Sequence, residues 1–192
     1  MFVLGVTGPS GAGKGTVCGI LKEFGFYHID TDRLVPGVYP DAIPQLIEAF
    51  GEDVVKGGVV DKRALAAAAF SSEENTETLN RIIHPLVMNA VAKQIEAAKD
   101  LGFDRVAVDG AALHEAHAEE ICDKMLCILA PKELRKQRVM ERDNISSDAA
   151  DLRLSAQKPD EFYAKNTDAV IVNDNRDNLK SKLFQLIKEW VS

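Results

Sequence analysis

A chain of 192 residues with 46% hydrophobic content can bury one full core with room for a small appended unit, so one principal domain is expected. Its formal charge of −7 excludes the long basic surfaces that duplex nucleic acid or an anionic membrane requires, and any anionic ligand must be held by a local basic site. No apolar run approaches the roughly 20 residues that span a bilayer, and Met1 leads straight into a core-like strand, which predicts a cytoplasmic protein. Short apolar runs rich in β-branched residues at 2–6, 26–29, 106–108, 125–129 and 169–172 read as strands buried on both faces. Helical patterns occupy 15–24, 85–101, 132–142 and 178–191, and Ser71 with Glu74 predicts a capping box for a further helix through Ile83. His84-Pro85 is expected to separate that helix from the next, which stops at Gly102. The alternation predicts a parallel sheet with right-handed crossovers, covered on both faces, with ligands at the carboxyl ends of the strands. Two stretches interrupt it: 41–101 reads as helix after helix, and 143–165 is polar, as a lid would be.

The segment Gly8-Pro9-Ser10-Gly11-Ala12-Gly13-Lys14-Gly15-Thr16 directly follows the first strand and opens a helix, the context of a phosphate-cradling P-loop. A glycine-rich turn lets backbone N–H groups converge on a triphosphate, the helix adds its positive dipole end, and Lys14 reaches the outer phosphates. Gly15 stands where a Ser or Thr usually ligates magnesium, and the hydroxyl comes one place later at Thr16, so the metal contact is expected through water. The Gly-Lys-Gly-Thr ending is similar to the loop of adenylate and cytidylate kinases and points to a small-molecule kinase.

Asp30 and Asp32 follow the second strand, where one is expected to cap the next helix and the other to orient an acceptor hydroxyl and take its proton. Arg138 and Arg142 share one helix face leading into the polar segment, suited to a transferred phosphoryl group or, alternatively, to pairing with Glu141 and Asp143. Arg153 and Gln157 lie further along. Asp109 ends the third strand, either as a carboxylate for magnesium or its waters or as a helix cap. His114, His117, Cys122 and Cys127 offer metal-ligand types without the usual spacing, and with Cys18 the three cysteines form no Cys-x-x-Cys pair, so reduced thiols are expected.

The order of these motifs resembles the dephospho-coenzyme A kinase family over almost the whole length. It is carried by the P-loop, His28-Ile29-Asp30-Thr31-Asp32, Phe50-Gly51, Asp61, Arg63 and Leu65, Phe70, and above all Leu79-Asn80-x-Ile82-x-His84-Pro85. Arg138-x-x-x-Arg142-Asp143, Arg153, Gln157 and Asp168-Ala169-Val170-Ile171-Val172-Asn173 continue it. The resemblance implies an α/β P-loop NTPase three-layer sandwich over 1–192, with a mostly parallel five-stranded sheet, a helical acceptor-binding insertion at 41–101 and a helical lid at 143–165. It implies transfer of the γ-phosphoryl group of ATP, with Mg2+, to the ribose 3′-hydroxyl of dephospho-coenzyme A. Asp32 would be the base, and Lys14, Arg138 and Arg142 would act on the phosphates. Gly8, Gly11, Ala12, Gly13, Gly15, Thr16, Arg142 and Asn173 would hold nucleotide, His84 and Glu115 the acceptor, and Thr16 and Asp109 the metal through water.

Three departures stand out. Gly37 replaces a family arginine, the segment Ala111-Ala112-Leu113-His114-Glu115 keeps one Leu and the Glu, and the last loop reads Asn173-Asp174-Asn175. A cytidylate-type kinase or an ATP-binding protein without turnover are the rival readings. The expected partner is a small molecule, with no nucleic acid or membrane, in a monomer or small homo-oligomer.

Overall fold

The computed structural model describes residues 1–174 and 178–191, so Asn175 of the last loop lies outside the described residues. In chain order come β1 (Phe2–Thr7), α1 (Lys14–Glu23), β2 (Tyr27–Asp30), α2 (Thr31–Phe50), β3 (Val55–Lys56), β4 (Val59–Val60), α3 (Lys62–Ala69) and α4 (Glu73–Asp100). Then follow β5 (Arg105–Asp109), β6 (Lys124–Leu129), α5 (Lys132–Asp143), α6 (Ser147–Ser155), α7 (Asp160–Ala164), β7 (Ala169–Val172) and α8 (Leu179–Val191). Two compact units result, one of residues 1–29 with 98–192 and one of 30–97.

The first unit is built on a five-stranded sheet in the order β2-β5-β1-β6-β7. β1 pairs in parallel with β5 and β6, and β6 with β7, as the alternation of strand and helix requires. The register sets Val6 opposite Asp109 and Thr7 opposite Cys127, so β1 and β5 end within one residue of each other where the glycine loop leaves β1, and β6 runs on to Leu129. Leu4, Val6, Leu126 and Ile128 from the sheet pack with Val17, Cys18 and Leu21 of α1 and Leu183 and Ile187 of α8. Each such aliphatic side chain taken fully out of water contributes about 1.5–3 kcal/mol, which fixes the seat of α1 against the sheet. Cys18, Cys122 and Cys127 are free thiols. After α5, Asn144 turns left-handed at φ 51°, Ser146 caps α6, and Val139, Ala150 and Leu154 form a small separate cluster.

The second unit is helical apart from the two-residue strands β3 and β4. Asp30 caps α2 by accepting the Arg33 amide at 3.3 Å. Pro36, Pro40 and Pro44 sit inside this helix, four residues apart on its exposed side, while Thr31, Val38, Ala42 and Leu46 line the buried side. The carbonyls that each proline leaves without an N–H partner therefore face water, and the helix survives. Asp61 caps α3 by accepting from the Arg63 and Ala64 amides and pairs with Lys56 at 2.6 Å.

Three local expectations are corrected. His84-Pro85 does not separate two helices, because α4 runs unbroken through it and Pro85 is exposed there, where solvent again takes the released carbonyl. The start of α4 is capped by Ser72, which accepts the Asn75 amide at 3.1 Å, and Ser71 instead donates to the Ala68 carbonyl. Helix also begins at Thr31, ahead of residue 41, since the Asp30 cap stops β2 and starts α2 at one point.

Candidate active site

The glycine loop is held by its own backbone geometry, by its own Lys14 and by donors from two other segments. Gly8 has φ 140°, and a Cβ there would stand 2.1 Å from the Ile128 carbonyl oxygen of β6. Gly13, the residue before α1, has φ 101°, and its Cβ would stand 2.2 Å from Asn173 Nδ2. Neither place admits a side chain, so both glycines are demanded by close approach as well as by φ. The Lys14 ammonium folds back to donate to the Gly8 carbonyl at 2.7 Å and lies 3.4 Å from that of Pro9. Arg138 Nη1 donates to the Gly11 and Ala12 carbonyls at 3.0 and 3.2 Å, and its Nη2 to the Asn173 carbonyl at 3.3 Å. Asn173, buried after β7, donates from Nδ2 to the Ala12 carbonyl at 3.0 Å and from its amide to Leu129 at 2.7 Å. The loop carbonyls are thus occupied by cationic or amide donors, while α1 begins with no side-chain cap and no acidic residue in its first turn. An anion is the group such a helix start accepts best. Thr16 lies on the exposed side of this first turn, beside Gly15, around which a Cβ would find open space.

Arg142 takes a different position on the same helix. It grips the Asp143 carboxylate through Nε at 2.8 Å and Nη2 at 2.9 Å, with Nη2 also 3.3 Å from the Ser10 hydroxyl. Arg153 adds a bond to Asp143 at 2.6 Å. Hydrogen bonding from Arg142, followed by the charges of both arginines, holds the Asp143 carboxyl below its usual range. Gln157 accepts the Ser10 amide at 3.1 Å, tying the 143–165 segment directly to the loop.

Residue-by-residue reading missed Arg135, which is buried, pairs with Asp160 at 2.6 Å and touches Gln157 at 3.5 Å. Its spacing three before Arg138 and seven before Arg142 places all three on one face of α5, a signal present in the sequence.

At the end of β5, Asp109 does not cap a helix, since turns and a short 3-10 stretch at Ala118–Glu120 follow it. Its Oδ2 lies 3.5 Å from His28 Nε2, and it accepts a hydrogen bond from the Cys18 thiol, which burial and this neighbour hold protonated. Glu115 stands in the turn after β5, where His114 Nε2 meets the Tyr163 carbonyl at 3.1 Å and Phe162 edge-on. Asp32 is exposed in the first turn of α2 and His84 half-buried in the middle of α4, both in the second unit. His117 pairs with Glu119 and Cys127 is buried in β6, so His114, His117, Cys122 and Cys127 form no cluster among the described residues.

A mostly parallel five-stranded sheet that ends in a glycine loop, an invading lysine and an uncapped helix start defines a P-loop kinase fold. Similarity is specific within that class: the dephospho-CoA kinase family matches residues 2–178. The chain belongs to this family, and is a transferase of the kinase type that binds ATP through its P-loop. It is 32% identical over 197 residues to the dephospho-CoA kinase of Corynebacterium glutamicum, covering 100% of this chain and 98% of that one. With the enzyme of Bacillus licheniformis the identity is 33% over 196 residues, covering 98% and 96%. Among solved structures, TT1252 from Thermus thermophilus aligns with a TM-score of 0.77 at 30% identity, covering 99% of this chain and 96% of that one. Shikimate kinase from Bacteroides thetaiotaomicron, with a TM-score of 0.57 at 14% identity and coverage of 100% and 99%, shares the fold alone.

Proposed function

We propose that the chain transfers the γ-phosphoryl group of ATP to the ribose 3′-hydroxyl of dephospho-CoA, releasing CoA and ADP in the last step of coenzyme A synthesis. The observation that carries this reading is the braced loop at the uncapped start of α1, in a chain of the dephospho-CoA kinase family. The amides of residues 8–16, with Gly8, Gly11, Ala12, Gly13, Gly15 and Thr16, cradle the phosphates, and Lys14 exchanges its loop carbonyls for phosphate oxygens of greater charge. Asn173 borders the adenine side. Arg142 leaves Asp143 to meet the phosphoryl group in transit, and Arg138 adds its fixed charge from beneath the loop. Asp32 orients the acceptor hydroxyl and takes its proton as that oxygen bonds to phosphorus and the ADP oxygen departs. His84 and Glu115 hold the acceptor, on a helical subdomain at 41–101 and beside a lid at 143–165.

The hydroxyl of Thr16 and the carboxylate of Asp109 are hard oxygen donors that suit Mg2+ retaining most of its waters. Bound there, the cation supplies neutralising charge to the phosphates. Among the described residues no helix is long and apolar enough to cross a membrane, and we place the enzyme in the cytoplasm as a monomer or small homo-oligomer.

The test is ADP release from purified protein with ATP, Mg2+ and each acceptor in turn. Dephospho-CoA is expected to support turnover and cytidine monophosphate is not, and the opposite pattern overturns the assignment.

A further inference from the structure

Three side chains that the phosphoryl-transfer reading leaves largely unused converge beneath the glycine loop. Cys18 comes from the middle of α1, His28 from β2 and Asp109 from the end of β5. Their ligand atoms, the Cys18 thiol sulfur, one imidazole nitrogen and one carboxylate oxygen, all lie within 4.8 Å of one another. Among the described residues no other group of three such ligands meets that closely. Cys18 is 1% exposed, and the side chains of His28 and Asp109 are each 14% exposed. His28 Nε2 is itself buried and makes no hydrogen bond, although the Asp109 carboxylate lies 3.5 Å away. A buried ring nitrogen aimed at a carboxylate and a thiol without a bond of its own is costly unless something occupies the space between them.

We infer that Cys18, His28 and Asp109 form a binding site for a thiophilic divalent cation of the Zn2+ type, with a fourth position open to water. Tetrahedral zinc with bonds of about 2.0–2.3 Å sets its ligands about 3.3–3.8 Å apart, so closing the trio around the ion moves each atom by less than about 1 Å. Mixed sulfur, nitrogen and oxygen donors select zinc over magnesium, which takes near-ideal octahedral oxygen sites. On binding, the S–H bond breaks, sulfur bonds to the metal and the proton passes to solvent, so affinity falls on acidification. Because Asp109 belongs to this trio and also to the proposed magnesium pair, a zinc-type ion here withdraws it from the phosphate side and slows the kinase.

The site is tested by binding, independently of any acceptor. Chelator-treated full-length protein is titrated with Co2+ without nucleotide, and the bound metal is measured by dialysis and absorption. One equivalent per chain is expected, with tetrahedral visible bands and a thiolate-to-cobalt charge-transfer band that Zn2+ displaces. Cys18→Ala is expected to abolish the charge-transfer band, and His28→Gln, which spares the core, to weaken binding at least tenfold. Cys122→Ser leaves both unchanged. Absence of the thiolate band, or its persistence in Cys18→Ala with unchanged affinity in His28→Gln, overturns the site. Zn2+ inhibition of Mg2+-supported ADP release, relieved in both variants, supports the shared use of Asp109. Tight binding without inhibition keeps the site and overturns that sharing, and absence of turnover with every acceptor bears on the phosphoryl-transfer reading alone.

Discussion

The glycine loop and the 143–165 segment meet at Ser10, yet they are held by opposite means. In the loop, Gly8 and Gly13 leave no room for a Cβ, and carbonyl oxygens are bonded to Lys14, Arg138 and Asn173. In the segment, order rests on a three-residue apolar cluster and on ion pairs, Arg142 and Arg153 with Asp143, Lys136 with Asp151 and Arg135 with Asp160. Steric exclusion and the bonds from Arg138 and Asn173 to loop carbonyls have no cheap alternative partner, whereas an exposed arginine exchanges a carboxylate for a phosphate at small cost. The loop is therefore built to be ready before substrate arrives, and the segment to rearrange around it.

The largest effect separates grip from chemistry. Asp32→Asn is expected to lower kcat by about two to four orders of magnitude while ATP affinity, which belongs to the loop, stays within about twofold. Unchanged turnover, read by ADP release, would reduce Asp32 to a residue of the α2 first turn. Lys14→Ala should cost about 10²–10³-fold in kcat/KM, the scale of losing one preorganised cationic donor, and ATP consumption at full speed would remove the loop from the reaction.

Two glycines six residues apart sharpen the contrast further. Gly13→Ala forces a left-handed φ on alanine and drives Cβ into Asn173, an expected loss of about 2–4 kcal/mol in urea unfolding. Gly19→Ala, in α1 with open space around it, should instead gain about 0.5–1 kcal/mol. If both shifted stability alike, steric exclusion would not distinguish the loop.

The smallest effect lies in the segment. The Asp143 carboxyl is depressed by Arg142 and Arg153, so the pairing stabilises above the ordinary carboxyl value of 3.8 and is lost as pH falls through the lower folded value. Hydrogen exchange in α6, corrected for intrinsic rates, should lose protection in wild type on acidification and change less in Asp143→Asn, while the loop is unaffected. Molar salt should mimic the acid, because the pair is exposed.

Much of this site was legible as sequence because its parts are contiguous or helically spaced. The loop is nine consecutive residues, Arg138 and Arg142 are four apart on one helix, and the Asn80 to Pro85 run carries the family likeness without any knowledge of its surroundings. Arg135 shares that helix face and escaped notice because a charged residue reads as solvated until its burial is known. Of the carboxylates that end β2 and open α2, only the cap geometry tells Asp30 from Asp32. Pro85 reads as a break because proline removes an N–H, and whether a helix tolerates this depends on which face meets water.

What the chain determined by itself was the phosphate-gripping loop, the strand and helix alternation that carries it, and its kinase family, since all three are written in local spacing. Tertiary structure alone decided that Cys18, His28 and Asp109, spread over 91 positions of chain, point their donors into one space, and that Arg138 braces the loop while Arg142 stays with Asp143. Such convergence depends on strand order and register, which bring β2, β5 and α1 together through contacts remote in sequence, and no local pattern encodes them.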